Sequence, residues 1–415
     1  MITPRVLPKA GWAILPLVLL SLAACQKPVV VGADVLIHQR EDLIKGKRIG
    51  LVTNHSGLLA NGEHIADALH QMSDVTLVAL YGPEHGVRGD TTGPLQNGTD
   101  PGTGVPVYSL YGATYKPTPE MLKGVEVLVF DIQDVGARFY TYISTLGNVM
   151  SAAAENHIPI IVLDRPNPVT GLYVDGPVLE DSLKSFVGYA PIPIAYGMTM
   201  GELAEMYNGE GWLDNGVKAE LTVVRLQNWK RSMWYDQTGL RWVRLSPNMP
   251  TLNTAIPYTG TCLVEGINVS EGRGTDRPFE TIGAPWASAD TVAKLLNDAK
   301  LPGVKFDPVE FTPTRSPQST YRLKYDQELC KGVFLNVTDR NAFQPVQAGV
   351  WVVWAFRHSN PDAFQWRGST FDRLAGTHKL REMLDEGKTP PEVFRTWQQD
   401  LEKFRAIRAK YLLYD

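Results

Sequence analysis

The chain has 415 residues, of which 44% are hydrophobic and 20% are charged, and its formal net charge at pH 7 is −4. The composition supplies apolar side chains for a large core and no basic field, so nucleic acid is not an expected partner. A chain of this length predicts two packed domains, or one large α/β unit with an appended lobe.

The first residues are typical of an export signal. Arg5 and Lys9 precede an apolar run, WAILPLVLLSLAA, that stops at Cys25 and is too short for a permanent membrane-spanning helix. Because LAAC resembles the lipobox of bacterial lipoproteins, we expect residues 1–24 to be a lipoprotein signal peptide and Cys25 to carry lipid that anchors the protein to a membrane. The alternative is an ordinary cleaved signal with an incidental cysteine. The residue after the cysteine is Gln26 rather than an aspartate, and this resembles the sorting signal of outer-membrane lipoproteins. We therefore expect an exported lipoprotein that faces the periplasm of a Gram-negative bacterium from the outer membrane.

From residue 47 onward, strand-like and helix-like segments alternate. Continuously apolar strands separated by helices indicate an α/β fold, with a parallel sheet covered on both faces. The predicted strands are KRIGLVTNHSG at 47–57, VTLVALYGPEHG at 75–86, VEVLVFDIQDVG at 125–136, IPIIVLDRPNP at 158–168 and AELTVVRLQ at 219–227. The predicted helices cover 64–72, 138–156 and 198–212.

Other segments lack this alternation. Residues 89–119 are rich in Gly, Pro and Thr and are expected to form a long loop over one edge of the sheet. Residues 229–286 are rich in Gly, Pro, Asn and Trp, and after 288 the pattern becomes mixed α and β and closes with amphipathic helices near 371–387 and 390–411. A domain break is therefore expected near 260–290.

Polar residues follow the predicted strands where ligands bind in open parallel sheets, beyond the carboxyl ends. For Asp134 and Asn167 a turn or cap role is preferred, because Gly136 and Pro168 follow them. Glu84 differs, since glutamate is a poor turn residue and its tight turn leaves little helix to cap. The strand-end residues are Asn54, His55, Glu84, His85, Asp131, Gln133, Asp134, Asp164, Arg165 and Asn167.

A second polar cluster extends from Glu265 to Glu280, among glycines. It is either a solvated charged surface or part of a sugar-sized groove, in which the flanking Trp242 and Trp286 would stack on a pyranose.

Several chemistries lack their sequence motifs. The sequence contains no Walker motif and no Gly-x-Gly-x-x-Gly after the first strand, so no nucleotide is expected, and the absence of Gly-x-Ser-x-Gly argues against a serine hydrolase. A zinc site of His55, His85 and Asp131 is a minor alternative without a recognised metal motif, and we expect no metal or other cofactor. Cys262 and Cys330 either pair in an oxidising compartment or remain buried thiols.

Six stretches in this order resemble the NamZ-type exo-β-N-acetylmuramidases, glycoside hydrolases formerly known as a domain of unknown function. They are GLVTNHSG at 50–57, YGPEHGVRG at 81–89, VFDIQDVGARFYTYISTL at 129–146, LDRPNPVTG at 163–171, SPNMPT at 246–251 and EGINVSEGRGTDRPFETIGAPW at 265–286. The resemblance implies a Rossmann-like catalytic domain, here taken as residues 25–265. It also implies a smaller C-terminal α+β domain at 266–415, with the active-site cleft between the two.

The implied activity is release of terminal N-acetylmuramic acid from the non-reducing end of peptidoglycan fragments, and peptidoglycan-derived saccharides are the expected partners. The resemblance assigns catalysis to Glu84, our candidate general acid. Asp131 and Glu271 are candidates for the second catalytic group, although the 2-acetamido group of the sugar is an alternative nucleophile. A guanidinium is expected to bind the lactyl carboxylate of the sugar. Candidates for substrate binding are Arg138, Arg273 and Arg277 for that carboxylate, together with Tyr140, Asn54, His55, His85, Asp164, Arg165 and Asn248.

A lipid-anchored protein that binds muropeptides without catalysis is the alternative function. It is disfavoured because a receptor for an anionic sugar would avoid a dense set of acids. An esterase or amidase is disfavoured by the missing nucleophile and zinc motifs.

Overall fold

The computed structural model describes residues 2–3, 27–89, 96–316 and 322–415. The predicted lipid-anchored Cys25 and nearly all of the predicted signal peptide lie outside these ranges. Within them, no helix has the length and apolar character needed to cross a membrane.

The first lobe is built on a sheet that has seven strands in the described residues, in the order β3-β4-β2-β1-β5-β6-β7. β3 pairs antiparallel with β4, and the other pairs are parallel. Apart from the antiparallel edge strand β3, the chain moves outward from β1 through β2 to β4 on one side and then from β5 to β7 on the other, which is the Rossmann strand order. The strands are β1 (Arg48–Thr53), β2 (Thr76–Gly82), β3 (Gly98–Thr99), β4 (Pro106–Ser109), β5 (Val127–Asp131), β6 (Ile160–Leu163) and β7 (Leu221–Val224).

Helices cover both faces of this sheet. Val127 and Val129 of β5 pack in the same hydrophobic cluster as residues of α1 and α2, whereas the alternate residues Leu128 and Phe130 pack with residues of α3 and α4. Successive side chains of a strand point to opposite faces, so a sheet covered twice requires the continuously apolar strands seen in the sequence. The helices are α1 (Gly32–Gln39), α2 (Ile65–Gln71), α3 (Tyr142–Glu155) and α4 (Met200–Gly209).

The second lobe combines helices with a smaller antiparallel sheet, which has the order β8-β10-β9 in the described chain. Its strands are β8 (Thr281–Ala284), β9 (Val304–Phe311) and β10 (Cys330–Val337). Its helices are α5 (Leu252–Thr261), α6 (Ala289–Asp298), α7 (Pro345–Ser359), α8 (Gly368–Ala375), α9 (Lys379–Asp385), α10 (Pro390–Phe394) and α11 (Gln398–Arg408). Single 3₁₀ turns occur at Glu41–Leu43, Asp181–Leu183, Asp214–Gly216, Tyr235–Gln237, Cys262–Gly266 and Arg395–Trp397.

The two lobes share one hydrophobic core. Phe130 of the large sheet belongs to the same buried cluster as Tyr258 of α5 and Phe371 of α8. Helices α5 and α7 touch through their backbones, because a Cβ on Gly260 would lie 1.8 Å from the carbonyl oxygen of Pro345. The position of α5 is therefore fixed against α7, and with it the residues that α5 directs toward the first lobe.

The C-terminal residues fasten the second lobe to the first. The Tyr414 hydroxyl donates to the Asp164 carboxyl at 2.5 Å, and the Leu413 amide donates to Glu202 at 2.8 Å. The Arg231 amide donates to the carbonyl of Asp415 at 2.8 Å. These contacts bring the end of the chain to the carboxyl end of β6.

Three sequence predictions differ from the structure in the first two thirds of the chain. The predicted loop at 89–119 contains β3 and β4, which are too short to show a period. The helix predicted from Arg138 begins at Tyr142, because residues 138–141 form turns that carry side chains of the site. The irregular region 229–286 contains α5 and β8, and α5 was missed because Pro257 lies inside it.

The closing helices are shorter than predicted. The segment 371–387 is divided between α8 and α9 at Gly376, whose φ of +79° is left-handed and ends the first helix. The segment 390–411 contains α10, a 3₁₀ turn and α11. Cys262 and Cys330 are free, buried thiols.

Candidate functional site

The carboxyl ends of the predicted polar strands lie on one rim, because β2, β1, β5 and β6 are parallel neighbours. Ligands of Rossmann-like sheets bind where the strand order reverses, which here is between β1 and β5. In this chain a hydrogen bond joins the loops that follow β1 and β5, because the backbone amide of Gln133 donates to the Ser56 hydroxyl at 3.0 Å. A cavity that contains several of the predicted site residues lies beside the end of β2 instead.

This cavity has a volume of about 250 Å³ and is lined by both lobes. The first lobe contributes Glu84, His85, Tyr111, Tyr140, Thr141 and Tyr142. The segment before α5 and the second lobe contribute Ser246, Tyr258, Cys262, Glu265, Arg273 and Leu374. Carboxylates, a guanidinium and aromatic rings therefore meet in one pocket, a combination suited to an anionic sugar.

Glu84 lies half-buried in the turn that ends β2. The turn is closed by a hydrogen bond from the Gly86 amide to the Pro83 carbonyl at 2.9 Å, and His85 and Gly86 have φ values of +73° and +76°. A left-handed histidine is unusual, and such backbone geometry is often found at functional sites. The Thr141 hydroxyl donates to the Glu84 carboxyl at 2.9 Å, which fixes the side chain at the cavity.

Tyrosine rings form an aromatic wall. The ring centroid of Tyr140 lies 4.9 Å from that of Tyr142 and 5.8 Å from that of Tyr258, both edge-on. Burial raises the pKa of the Tyr140 phenol well above its ordinary value, and the negative charge of Glu84 acts in the same direction. The Tyr142 hydroxyl donates to the Leu245 carbonyl at 2.8 Å. This wall is rigid, and aromatic faces of this kind pack against the apolar side of a pyranose.

A chain of alternating charges holds Arg273 in the cavity wall. Its guanidinium lies 2.6 Å from a Glu265 oxygen and 3.3 Å from a Glu271 oxygen, and Lys324 lies 3.0 Å from the other oxygen of Glu271. Burial acts to raise the pKa of Glu271, but the charges of Lys324 and Arg273 outweigh it and hold that pKa below its ordinary value. The carboxyl groups of Glu265 and Glu271 thus orient the Arg273 guanidinium from two sides.

The models of one protein family match both parts of the chain. The model described as exo-β-N-acetylmuramidase NamZ, N-terminal, matches residues 49–253, and the corresponding C-terminal model matches residues 256–414. The chain belongs to the NamZ family of exo-β-N-acetylmuramidases. The predicted resemblance is confirmed, and membership places the chain among the glycoside hydrolases.

Individual NamZ-family relatives cover nearly the whole chain. The peptidoglycan β-N-acetylmuramidase NamZ of Bacillus subtilis (strain 168) is 47% identical over 393 residues, which are 94% of this chain and 92% of the relative. Two crystal structures of DUF1343 family proteins from Bacteroides fragilis are 40% and 36% identical, with TM-scores of 0.86 and 0.77, and each comparison covers 94% of this chain and 99% of the other. The predicted α/β fold with a smaller second lobe is confirmed. The domain boundary at 265/266 stays a prediction.

Four of the residues predicted from the sequence line the cavity of this NamZ-family chain: Glu84, His85, Tyr140 and Arg273. Neither predicted tryptophan lines this cavity. Trp242 packs edge-on against Tyr235 and Trp286 packs against Phe356, so the predicted tryptophan platform gains no support from their positions. The tyrosines supply the aromatic surface instead.

Asp131 and Arg165 form a buried ion pair rather than part of the cavity lining. Arg165 contacts both oxygens of Asp131, at 2.6 and 2.8 Å, and also donates to the Leu58 carbonyl at 3.0 Å. Asp131 is 0% exposed. The pair joins the ends of β5 and β6, which gives both residues a structural role, and the predicted catalytic role of Asp131 gains no support from its position.

Two of the arginines proposed for the lactyl carboxylate lie elsewhere. Arg138 is completely buried, where its guanidinium donates to the carbonyls of Pro177, Ile192 and Leu374 at 2.8 to 2.9 Å. Burial lowers its pKa to about 9. Arg277 is exposed, and its guanidinium carbon lies 4.8 Å from the centroid of the Phe334 ring. Of the three candidates, Arg273 is the arginine in the cavity wall.

Other predicted residues shape the rim. Asn54 accepts from the Ser56 amide at 2.9 Å, and the His55 ring donates to the Arg244 carbonyl at 2.6 Å. Asn248 is half-buried, and its amide donates to the Ser246 hydroxyl at 3.3 Å. None of these three residues lines the cavity, and their predicted contacts with substrate stay predictions.

Asp164 has a structural role. It accepts from the Thr199 hydroxyl and the Gly201 amide at 2.7 Å each, and with the Tyr414 hydroxyl these donors surround a fully buried carboxyl. Burial raises its pKa to about 7, although the donors oppose the shift. Asp164 thus joins β6, the start of α4 and the C-terminal residues.

The turn roles preferred for Asp134 and Asn167 are confirmed. Asp134 accepts from the Gly136 amide at 2.7 Å, and Asn167 accepts from the Val169 amide at 3.1 Å. Each carboxyl or amide oxygen therefore stabilises the turn that follows its strand.

Sequence reasoning did not assign site roles to Thr141, Ser246, Tyr258 and Glu265, all of which line the cavity. Tyr258 lies on α5, and Glu265 lies on the 3₁₀ turn that follows it. The sequence analysis did not predict α5. Glu265 stood among several acids of one motif, and only the path of α5 distinguishes it from Glu271 and Glu280.

Proposed function

We propose that this chain is an exo-acting glycoside hydrolase that releases terminal, β-linked N-acetylmuramic acid from the non-reducing end of peptidoglycan fragments. The observation that carries the proposal is the cavity in which Glu84 of one lobe and Arg273 of the other meet beside a tyrosine wall, in a chain of the NamZ family. Glycoside hydrolysis requires a carboxyl group at the glycosidic oxygen, and a muramyl sugar adds a carboxylate that needs a cation.

In the proposed mechanism Glu84 donates its proton to the leaving oxygen. The Thr141 hydroxyl, 2.9 Å from the Glu84 carboxyl, holds it in one orientation, and a positioned acid of this kind typically contributes about 10²–10⁴-fold to the rate. The tyrosine wall stacks on the sugar ring and excludes water from its apolar side. Arg273, held by Glu265 and Glu271, binds the lactyl carboxylate and so distinguishes a muramyl from a glucosaminyl unit.

The test compares two chromogenic substrates, 4-nitrophenyl β-N-acetylmuraminide and the matching glucosaminide. Turnover of the muraminide alone is the expected result. Binding of the muraminide without turnover would favour the muropeptide-binding alternative, and turnover of the glucosaminide at an equal rate would contradict the proposed specificity. A disaccharide carrying N-acetylmuramic acid at its reducing end only should resist cleavage by an exo-acting enzyme.

We also propose that the protein is a lipoprotein, anchored through Cys25 and facing the periplasm from the outer membrane. The support is the charged start, the apolar run and the LAAC site with Gln26 after it, and acyl chains on one cysteine hold a protein at a bilayer. Expression of the full chain with an alkyne-labelled fatty acid should label wild type but not Cys25→Ser. Equal recovery of both proteins in the soluble fraction would contradict the anchor.

A further inference from the structure

Two carboxylic acids line the Glu84 cavity among the residues that the structure describes. Glu84 comes from the end of β2, and Glu265 comes from the 3₁₀ turn that follows α5. A glycosidase with two acting carboxyl groups places them around one sugar, one as proton donor and one as base or nucleophile. The lobes of this chain supply one such residue each.

The backbone of Glu265 is fixed on both sides of the side chain. The ammonium of Lys324 donates to the carbonyls of Val264 and Val269 at 2.8 and 2.9 Å, and the Ile267 amide donates to Val264 at 3.1 Å. These bonds close the turn that carries Glu265 to the cavity. A rigid segment of this kind is what a catalytic group requires, because small displacements reduce the rate strongly.

The side chain of Glu265 is positioned by charge. The Arg273 guanidinium contacts one of its oxygens at 2.6 Å, and the Glu265 side chain remains 27% exposed, so it is open to a ligand in the cavity. The guanidinium holds the carboxylate beside the cavity, where it is placed to accept a proton from a ligand. This assigns complementary roles, with Glu84 as the donor and Glu265 as the acceptor.

The two acids predicted as the second catalytic group, Asp131 and Glu271, do not line the cavity. Both oxygens of Asp131 are bound by Arg165, and Glu271, which is 5% exposed, pairs with Lys324 and Arg273. Among the residues that the structure describes, Glu265 is therefore the carboxylate that lines the cavity together with Glu84.

We propose that Glu265 is the second catalytic carboxylate and acts as general base; this rests on the proposed function. Glu265 takes a proton from water as the water oxygen bonds to the anomeric carbon. The bond from that carbon to the glycosidic oxygen breaks, its electron pair stays on the leaving oxygen, and that oxygen takes the proton of Glu84. Proton exchange with solvent restores both carboxyl groups.

The experiment compares wild type, Glu265→Ala, Glu265→Gln and the control Glu310→Gln, whose exposed acid pairs with Lys331 on the surface of the same lobe. Turnover of 4-nitrophenyl β-N-acetylmuraminide is measured with and without sodium azide, which attacks without losing a proton. Both Glu265 variants should lose about 10²–10⁴-fold in kcat, and azide should restore Glu265→Ala and give the α-glycosyl azide. Glu265→Gln preserves shape and should also lose the acidic limb of the pH profile of kcat/KM.

The outcomes separate the alternatives. If Glu265 only positions Arg273, its variants will raise KM and relax the preference over the glucosaminide, while kcat stays within tenfold of wild type and azide has no effect; that result overturns the proposal. A first product of wild type with retained β configuration would also overturn the base role. Absence of turnover by wild type overturns the proposed function itself, whereas an active wild type with unaffected Glu265→Gln overturns only the assignment of Glu265.

Discussion

The Thr141 hydroxyl, at the N-cap position of α3, donates to Glu84 at 2.9 Å rather than capping its own helix. An N-cap threonine normally bonds a backbone amide of the first helical turn, and losing that cap costs about 1 kcal/mol. Here the hydroxyl joins the end of β2 to the start of α3. The contact indicates that the orientation of Glu84 takes precedence over the local stability of the helix.

Replacement of Glu84 by Gln should remove the proton donor while keeping the shape of the side chain. We expect kcat/KM to fall about 10²–10⁴-fold on a muramyl disaccharide, whose leaving sugar needs protonation. The loss should be much smaller on 4-nitrophenyl β-N-acetylmuraminide, because nitrophenolate leaves without a proton. Steady-state kinetics on the two substrates measure the difference.

Thr141→Val tests the orientation of Glu84 separately from its proton. This variant keeps the Glu84 carboxyl but removes the hydrogen bond from the Thr141 hydroxyl. We expect a partial loss of kcat with the same dependence on the leaving group. Equal losses on both substrates for Glu84→Gln would show that Glu84 acts in binding rather than as the acid.

Arg273 should determine the preference for the muramyl sugar. Arg273→Ala removes the guanidinium in the cavity wall, so KM for the muraminide should rise at least tenfold, since a charge-assisted bond contributes about 1.5–3 kcal/mol. The kcat/KM ratio between muraminide and glucosaminide should fall by a similar factor. Arg40→Ala, which removes an exposed arginine that pairs with Asp42, serves as the control. A ratio unchanged by Arg273→Ala would contradict the role.

The fold of the first lobe was predictable from the sequence, because the patterns that indicate its strands and helices involve neighbouring residues. Apolar strands such as 127–131 alternate with helices, and a parallel arrangement follows from that order. Glu84 stood out because a glutamate between Pro83 and His85 has no turn or cap function, and the structure shows the positive φ of His85 there. Both inferences required only neighbouring residues.

The second half of the site was not predictable in the same way. Whether Arg138 or Arg273 faces the cavity depends on the groups that surround each guanidinium. Carboxylates contact Arg273, whereas carbonyls surround Arg138, one of them from a residue as distant as Leu374. The position of Glu265 depends on α5, whose pattern is interrupted by Pro257. Long-range packing decides such roles, and a single sequence does not reveal it.

Arg138 should matter for stability rather than specificity. Arg138→Met fills similar space but leaves the carbonyls of Pro177, Ile192 and Leu374 without their donor, and each unsatisfied buried acceptor costs about 1–3 kcal/mol. We expect a marked drop in the urea midpoint of unfolding. The folded fraction should keep its wild-type preference for the muraminide; a relaxed preference would return Arg138 to the list of substrate contacts.

The buried carboxyl of Asp164 should make stability depend on pH in an unusual direction. Burial raises its pKa from 3.8 to about 7, so between these values the folded chain binds a proton that the unfolded chain has lost. The contribution of Asp164 to stability is therefore complete below about pH 4 and declines as pH rises toward 7. A carboxylate stabilised by an ion pair, such as Asp100 beside Arg88, acts in the opposite direction, because its pKa is lowered.

Urea unfolding of wild type and Asp164→Asn at pH 4.5, 6 and 8 isolates this contribution, since the other titrating groups cancel in the difference. The stability of wild type relative to the variant should decrease steadily across the series. Tyr414→Phe removes the hydroxyl that stabilises the ionised carboxyl, so the pKa of Asp164 should rise further and the decline should extend to higher pH. A constant difference between wild type and Asp164→Asn at all three pH values would mean that this carboxyl does not titrate in the folded chain.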